Sequence, residues 1–350
     1  MEKIIVKAEI MSPIHIRSGD EYDRLDYFFF DWWESLQLVD QKWLENLSTK
    51  DEQLFNNVLS VIKQWNFREI ENCKMNYYED FLDETYIKWN IDISEKASKQ
   101  LLMKGGKNNQ WIIKKQFQNK FTWESIIPGS TLKWIIRTIF LCYKMQELNW
   151  TDCRRQEREL KTYDNKILKE LFKNIYLEDV LVEDSVKNIQ YVQWVNKRTE
   201  STWQVKGIPM SIESIVKGKF DINITNFFKD KSHSLAIDKT KLLEMIKFYS
   251  KLVISREEQI LENIGIHTDY IDELNWLYNQ WKYPIKIGMF KKSITYKIFW
   301  EDMIEDIYYY DTQKHKNIMD LNKARKLWVW DKSIYLDENN TPVWWIVLSF

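Results

Sequence analysis

The segment IIPGSTLKWIIRT, residues 126–138, combines a sharp turn with hydroxyl side chains in a pattern suited to holding an anion. Pro128 and Gly129 bend the chain, and Ser130 or Thr131 can cap the helix that the following apolar residues predict. The first N–H groups of a helix have no partner within the helix, and its dipole favours negative charge there. The turn is therefore a candidate phosphate-binding site.

Two cations follow within the same predicted helix. Lys133 supplies a point charge, and Arg137 lies one turn further along on the same face. A guanidinium group can bind a phosphate through two parallel hydrogen bonds. The same residues also fit an ordinary capped helix whose cations face water, and this segment alone leaves both interpretations open.

A second polar segment follows the first predicted strand. The stretch HIRSGD carries His15, Arg17 and Ser18, with Gly19 in the turn. We expect this loop to lie at a sheet edge, where it can contact a ligand. The alternative is a solvated turn in which His15 is a half-buried structural residue, so Arg17 is the stronger candidate.

Two basic clusters near the C-terminus are further candidates for contacts with phosphate. Their cations are Lys291, Lys292, Lys323, Arg325 and Lys326. A run of charges also suits a solvated surface, which is the alternative interpretation here. Phosphate contacts of this kind would fix the position of a nucleic acid without reading its sequence.

The overall charge gives no sign of a polyanionic partner. The 350 residues include 51 Lys and Arg against 52 Asp and Glu, which leaves a formal net charge of −1. A nucleic-acid surface must therefore be a local basic patch. Hydrophobic residues at 44% and charged residues at 29% are typical of a soluble globular protein.

The sequence predicts neither a metal site nor a cofactor. Its three cysteines and four histidines show no paired or ligand-like spacing, so we expect reduced thiols, a cytoplasmic location and no zinc. We also expect no signal peptide and no membrane span. Motifs typical of metalloproteases, hydrolases and nucleotide-binding enzymes are missing from the sequence, and a single histidine near the N-terminus is weak support for catalysis.

The elements that must position these residues alternate irregularly. Ile4, Val6, Ala8 and Ile10 share one face of an opening strand. The predicted hairpin joins residues 27–30 to 35–39, and residues 96–108 form a predicted mobile loop. Predicted helices cover residues 40–83, 132–148, 152–172 and 239–281. Further predicted strands cover 111–117, 180–185, 188–195, 208–225 with a turn at Lys217 and Gly218, 284–298, 324–330 and 342–350.

This interleaving of strands and helices predicts an α+β fold. Two halves that contain strands are separated by a helical stretch. We expect an N-terminal domain over residues 1–185 and a C-terminal domain over residues 186–350.

The segment from Ile127 to Thr138 resembles a known family. RAMP proteins of type III CRISPR effector complexes carry a pattern similar to I-P-G-S-S-L-K-G-x-x-R-T at the start of their first long helix. Trp134 stands in the glycine position of that pattern.

Other segments resemble, in the same order, the subunit of the type III-A (Csm) complex that caps the 3′ end of the crRNA. SPIHIRSGDEY is similar to its P-x-H-I-G-S-G segment, with Arg17 in place of glycine. LVEDS is similar to its V-S-D-S strand, and IPMSIESIVKGKFDINIT to a P-x-x-x-E-x-I-x-x-G-x-x-F segment. KIGMFKKSITYKI keeps only Gly288 of a late glycine-rich loop, and the C-terminal strands resemble R-R-L-V…P-L-G-W-V-x-L.

The resemblance implies ferredoxin-like (RRM-like) RAMP modules with helical insertions. It implies a non-catalytic crRNA-binding subunit that caps the effector filament at the crRNA 3′ end and supports crRNA maturation in antiviral defence. The implied partners are crRNA, the neighbouring backbone subunit and nucleases that trim the crRNA.

Two alternatives stay open. One is a CRISPR endoribonuclease of the same superfamily that processes precursor crRNA, with His15 as its general acid or base. The other is a different RAMP subunit, such as the one that holds the 5′ tag or the repeated backbone subunit.

Tryptophan is unusually frequent, with 18 residues against only 8 glycines. Trp134 and one of Trp344 and Trp345 stand where the family has glycine, and Trp32 and Trp33 lie in a predicted hairpin loop that favours glycine. One hypothesis is that some of these codons are UGA, which the source organism decodes as glycine. The alternative is a tryptophan-rich protein whose indoles stack on bases or bind carbohydrate. If position 134 is tryptophan, we expect it to disturb the tight contact between the turn and the helix.

Overall fold

The structure is a computed structural model of the chain. It describes residues 2–30, 34–63, 87–102, 112–147, 159, 162–199, 202–205, 209–228, 235–266, 268–287, 308–311, 316–319 and 333–350. Thirteen of the strands in these ranges form a single sheet, and two small two-stranded sheets accompany it.

The strands are short except for β10 and β12, which each run for 17 residues. The bounds are β1 Glu2–Ile10, β2 Arg17–Tyr22, β3 Tyr27–Phe30, β4 Ser35–Val39, β5 Ile87–Ile93, β6 Ile113–Gln116, β7 Ile126–Ile127, β8 Ile175–Leu177, β9 Val180–Leu181, β10 Glu183–Thr199, β11 Thr202–Val205, β12 Met210–Asn226, β13 Tyr283–Lys286, β14 Tyr308–Asp311, β15 Lys316–Met319, β16 Ser333–Leu336 and β17 Trp345–Ser349.

The helices lie between these strands. Their bounds are α1 Lys42–Lys50, α2 Glu52–Lys63, α3 Glu95–Leu102, α4 Gly129–Glu147, α5 Lys239–Ile264 and α6 Asp269–Asn279. A π-helical turn, Ile167–Leu171, and a short helical turn, Phe172–Asn174, precede β8.

The main path of the large sheet runs in the order β13-β17-β1-β12-β10-β5-β4-β3. Strand β6 pairs with both β2 and β12, while β8 adds to β12, and β11 and β16 add to β10. The pairs β5–β10 and β6–β12 are parallel, whereas the other pairs are antiparallel. The sheet is therefore mixed.

The opening strand follows the predicted alternation. Ile4, Val6, Ala8 and Ile10 are all buried on the face of β1 that packs on the main hydrophobic core. Strand β1 lies between β12 and β17, so this core joins residues from both ends of the chain.

Strand β12 corrects one prediction. Lys217 and Gly218 do not form a turn, because β12 continues through them. Gly218 has a φ of 156°, and a Cβ there would lie 2.4 Å from Val182 Cγ1. Up to Lys219 β12 pairs with β10, and from Lys219 onward it pairs with β1.

Helix α4 covers the sheet together with α5. Apolar side chains of both helices, including Leu132, Ile136 and Leu242, face Val6 and Ile222 of the sheet. The helix spans residues 129–147 where the sequence predicted 132–148. The predicted helix over residues 152–172 is described only in part, and its C-terminal turns are π-helical and helical.

The predicted mobile loop over residues 96–108 is wrong for its first half. Residues up to Leu102 belong to α3, where Ala97 and Leu101 are buried one turn apart. The amide of Lys96 donates to Glu338 Oε2 at 2.9 Å, which ties the helix to the C-terminal part of the chain. Polar residues on the outer face concealed this amphipathic pattern in the sequence. Residues 103–108 lie outside the described residues.

The predicted hairpin of residues 27–39 is confirmed as β3 paired with β4, with Phe30 opposite Ser35. Its loop residues Trp32 and Trp33 lie outside the described residues. Helices α1 and α2 confirm the first part of the helix predicted over residues 40–83.

The large sheet draws strands from both sides of residue 185. The division into domains 1–185 and 186–350 stays a prediction. Within the described part of the chain, none of the helices has the length and apolar character needed to cross a membrane.

Candidate nucleic-acid interface

The turn before α4 contacts the segment around the end of β8. The amide of Gly129 donates to Asp179 Oδ1 at 2.8 Å, so the dipole of the helix already faces a carboxylate. A Cβ on Gly129 would lie 2.2 Å from the carbonyl oxygen of Leu177 at the end of β8. Glycine is needed at position 129 because the backbone of the turn lies directly against the backbone of β8. The anion at the predicted site is the carboxylate of Asp179.

Arg137 is also engaged internally. Its guanidinium group donates from Nε and one terminal nitrogen to the two carboxylate oxygens of Asp164. The side chain of Arg137 is only 14% exposed. The fork predicted to hold a phosphate therefore holds a carboxylate, which corrects the sequence-based role of Arg137.

The remaining residues of this helix start lie nearer the solvent. Ser130 is exposed, and Thr131 and Lys133 are half-buried. The amide of Thr131 bonds to the carbonyl of Pro128 at 2.8 Å, as expected in a first helical turn. Among the described residues, no carboxylate forms an ion pair with Lys133, so its ammonium group is available to an external anion.

Trp134 does not disturb the contact between turn and helix, contrary to expectation. Its side chain is 52% exposed on the outer face of α4, away from the contact at Gly129. The Arg137 guanidinium carbon lies 4.4 Å from the centre of the indole ring.

His15 is enclosed instead of lining the surface. Its exposure is 0%, and Nδ1 donates to the carbonyl oxygen of Glu213 at 2.7 Å. Burial, together with the nearby charges of Lys114 and Arg17, lowers the pKa of His15 to about 4. The imidazole is therefore neutral at pH 7, and it has no surface for a direct RNA contact in this conformation.

Arg17 and Ser18 lie at the start of β2, where the predicted sheet edge is found. Arg17 is exposed and pairs in register with Gln116 of β6. The Ser18 hydroxyl donates to the carbonyl of Lys115 at 3.2 Å and accepts from the amide of Asp20 at 3.0 Å. Ser18 therefore shapes the loop, while Arg17 is available to a ligand.

Strand β6 brings two more cations to this edge. Lys115 Nζ lies 4.1 Å from the centre of the Tyr22 ring, and Lys114 Nζ lies 3.9 Å from Glu21 Oε1. Together Arg17, Lys114 and Lys115 form what we call the β2–β6 basic edge.

A buried carboxylate lies beneath the β2–β6 basic edge. Glu213 is 1% exposed, accepts from the amide of Gln116 at 3.0 Å and lies 3.6 Å from Lys187 Nζ. Burial raises the pKa of Glu213, while the charges of Lys187 and Lys115 and the hydrogen bond from Gln116 oppose that rise. Burial also lowers the pKa of Lys187, so desolvation outweighs the mutual attraction of these two buried groups.

Comparison with known proteins places this geometry in context. No protein-family model matches the sequence. The protein named CRISPR system Cms protein Csm5, from Methanocaldococcus jannaschii, is 23% identical over 335 residues, covering 87% of this chain and 75% of that protein. The chain resembles Csm5 over most of its length.

Two solved structures have a similar fold. The crystal structure of T. onnurineus Csm5 superposes with a TM-score of 0.62 at 15% identity, covering 97% of this chain and 99% of that one. A chain of the cryo-EM structure of a Csm–crRNA–target RNA ternary complex of a type III-A system gives 0.58 at 16% identity, covering 98% and 99%. The resemblance to a Csm subunit is confirmed, as is a Csm5-like mixture of helices with a large mixed sheet.

The sequence-based predictions did not include Lys114 and Lys115 among the candidate RNA-binding residues. The signal was two adjacent lysines in the predicted strand WIIKKQF, which precedes the turn at Pro128. The pairing of β2 with β6, which brings them beside Arg17, is a tertiary contact that spacing does not reveal.

Several predicted residues cannot be placed. Both C-terminal basic clusters lie outside the described residues: Lys291, Lys292, Lys323, Arg325 and Lys326. Their RNA contacts stay predictions. Within the described ranges, no group of three or more His, Cys, Asp or Glu side chains is arranged to hold a metal ion.

The close contact at Gly129 predicts that Gly129→Ala destabilises the protein. Alanine normally stabilises a helix relative to glycine, by about 1 kcal/mol. Here its Cβ would lie 2.2 Å from a backbone oxygen, so we expect unfolding to become easier by about 1–3 kcal/mol. Urea unfolding followed by circular dichroism measures this. Ser130→Ala, at the exposed next position, is the control and should change stability far less.

The buried His15 predicts a pH dependence. The unfolded chain binds a proton near pH 6.5, whereas the folded chain binds it only near pH 4. As far as His15 is concerned, the folded chain is therefore most stable above pH 6.5, where the imidazole is neutral in both states, and it loses stability as the pH falls from 6.5 towards 4. Between pH 7 and pH 5 the loss is about 2 kcal/mol.

The variant His15→Gln keeps an N–H donor for the Glu213 carbonyl but does not titrate. The difference in unfolding free energy between wild type and variant should therefore shrink by that amount from pH 7 to pH 5. The comparison cancels the titration of other groups. An unchanged difference would contradict the neutral, buried histidine.

Proposed function

We propose that this chain is a non-catalytic crRNA-binding subunit of a type III-A CRISPR effector complex, working in the cytoplasm. The observation that carries the proposal is the whole-chain match to Csm5 and to a chain of a Csm complex that contains crRNA. By this likeness the chain caps the filament at the crRNA 3′ end, supports crRNA maturation in antiviral defence, and docks on the neighbouring backbone subunit. The trimming nucleases are further proposed partners.

The proposal includes the finer fold, ferredoxin-like RAMP modules with helical insertions. A mixed sheet with β1 between β12 and β17, on which the long helix α4 packs, supports this part of the proposal.

The β2–β6 basic edge is the proposed contact for the RNA backbone. Arg17 is exposed, and Lys115 lies over an aromatic ring rather than in an ion pair with a described carboxylate. Glu213 and Lys187 are both buried, so their mutual attraction does not neutralise the surface cations. A protein of net charge −1 can in this way present a local positive surface to a polyanion.

An exposed aromatic side chain extends from the same edge. After β6 the chain turns at residues 119–124, and Phe121 at this turn is 94% exposed. The turn is ordered by Asn119, whose Oδ1 accepts from the amides of Phe121 and Thr122 at 2.8 and 3.3 Å. An exposed phenyl ring on an ordered turn suits stacking on an unpaired base.

The start of α4 offers fewer groups for RNA contact than its sequence indicated. Ser130, Thr131 and Lys133 stay candidates, with Lys133 as the charge that faces outward. Asp179 and Asp164 already neutralise the helix start and Arg137.

The endoribonuclease alternative loses its proposed acid or base. His15 is enclosed and its pKa is lowered to about 4, so it is neither accessible nor half-protonated near neutral pH. The absence of catalysis remains our proposal, and incubation of the purified chain with precursor crRNA tests it.

The basic edge predicts how RNA binding responds to substitution. Arg17→Ala combined with Lys115→Ala should weaken binding of single-stranded RNA equally for unrelated sequences. It should also reduce the slope of log affinity against log salt by about 1–2, because about one counterion is released per phosphate contact. Fluorescence anisotropy of the whole chain with labelled RNA at several salt concentrations measures both. Lys251→Ala, on the exposed face of α5, is the matched control.

Phe121→Ala separates stacking from charge in the same assay. It should lower the affinity and leave the salt slope unchanged, since stacking releases no counterions. If the variant with both Arg17→Ala and Lys115→Ala binds RNA with wild-type affinity and a wild-type salt slope, the assignment of the β2–β6 basic edge is wrong.

The position in the complex predicts which part of the crRNA is protected. When the chain is purified with its partner subunits and cross-linked to crRNA, cross-links should map to the 3′ segment. Cross-links at the 5′ tag, or repeated at regular intervals, would instead identify one of the other RAMP subunits. Omitting this chain should leave 5′ protection unchanged, which serves as the internal control.

A further inference from the structure

Three tryptophans adopt a backbone conformation that suits glycine. Among the described residues that are not glycine, positive φ occurs at Trp123 (61°), Trp281 (62°), Trp344 (74°), Asp184 and Asn340. Asp and Asn are the residue types that tolerate this region, whereas a bulky aromatic residue there is a steric outlier. The concentration of one disfavoured residue type at such positions needs an explanation.

The ends of α5 and α6 offer a direct comparison. At the end of α5, Gly265 donates to the carbonyl of Glu262 and Ile266 donates to that of Leu261, both at 2.9 Å. Gly265 has a φ of 70°. This pair of bonds is the Schellman motif, whose left-handed residue is usually glycine.

Helix α6 ends with the same two bonds around a tryptophan. Trp281 donates to the carbonyl of Tyr278 at 3.2 Å, and Lys282 donates to that of Leu277 at 3.1 Å. Trp281 thus occupies the position that Gly265 occupies in α5. Its side chain is 71% exposed, so burial of the indole does not offset the unfavourable backbone.

Trp123 ends the turn that carries Phe121. Its amide donates to the carbonyl of Asn119 at 2.9 Å, and the amide of Asn119 donates to the carbonyl of Glu124 at 2.9 Å. A left-handed residue at the end of such a hairpin loop is the usual place for glycine. The bond from Lys187 Nζ goes to the backbone oxygen of Trp123 and does not need the indole.

Trp344 lies where three segments meet. Its amide donates to the carbonyl of Pro13 and its carbonyl accepts from Ile287, both at 2.9 Å. These bonds fix the left-handed backbone just before β17. They are made by backbone atoms alone, so a glycine at position 344 can make them as well. The indole itself is 5% exposed and its ring centre lies 4.8 Å from that of Tyr335, so the argument at this position rests on the backbone conformation.

Trp43 differs from these three tryptophans in its backbone and in a hydrogen bond from its indole. Trp43 is completely buried, donates from Nε1 to the carbonyl of Leu25 at 3.1 Å and packs edge-on against Phe28. Its backbone is not among those with positive φ. This position uses the size and the N–H of an indole, as a true tryptophan does.

We infer that positions 123, 281 and 344 are glycine in the protein made by its source organism, because their codons are decoded there as glycine, whereas position 43 is tryptophan. The inference is independent of the RNA-binding function. It extends the composition signal of 18 Trp and 8 Gly to named positions. Trp134 is helical, so its backbone does not contribute to the inference.

Peptide mass spectrometry of the protein isolated from its source, together with the gene sequence, tests the inference. We expect UGA codons and glycine masses at positions 123, 281 and 344, and a UGG codon and tryptophan mass at position 43. A tryptophan mass at any of the three positions overturns the inference.

A stability measurement tests the physical argument on the recombinant chain. Trp281→Gly should raise the melting temperature by about 1–3 °C, because it relieves the left-handed backbone. Trp276→Gly is the matched control: it is also exposed, at 59%, but lies inside α6. It should lower the melting temperature by a similar amount, since glycine weakens a helix interior. A fall with Trp281→Gly as well would contradict the argument.

Discussion

Strand β12 runs unbroken through residues 217 and 218 while its hydrogen-bonded neighbour changes from β10 to β1, and the rest of the fold requires this continuity. Gly218 meets the requirement because a side chain there would overlap Val182. The first half of β12 pairs with β10 and β6, and the second half pairs with β1 and β8. One strand thereby fixes both the basic edge and the segment that holds the start of α4.

The first half of β12 also carries the charge that organises the candidate site. Glu213 is 1% exposed, accepts from the amide of Gln116 and pairs with Lys187, while burial raises the pKa of this carboxyl and lowers the pKa of the amine. The pair lies inside the protein, whereas Arg17 stays at the surface. A chain without net positive charge can therefore bind a polyanion through the arrangement of its charges alone.

The start of α4 shows that the same chemistry can serve an internal ligand. A helix N-terminus and an arginine fork attract anions, as the motif indicates, but here the anions are Asp179 and Asp164 of the same chain. The motif therefore joins α4 to β8 and to the segment before the π-helical turn. The surface that we propose for a ligand lies at β2 and β6, where Arg17 is exposed.

The sequence by itself determined the features that depend on local periodicity and on single-residue geometry. It predicted the buried face of β1, the hairpin of β3 and β4, a helix after the turn at Pro128, and the resemblance to Csm subunits in ordered motifs. These succeed because a strand or helix repeats its pattern within a few residues.

Only the tertiary structure decided what each predicted residue contacts. His15 is enclosed, Arg137 is paired, α3 replaces a loop, and Lys114 and Lys115 join Arg17 because partners distant in the sequence meet there. Residue type states what a side chain can bind, whereas long-range packing selects among partners that are chemically equivalent. A carboxylate and a phosphate attract the same cation, so spacing alone cannot tell them apart.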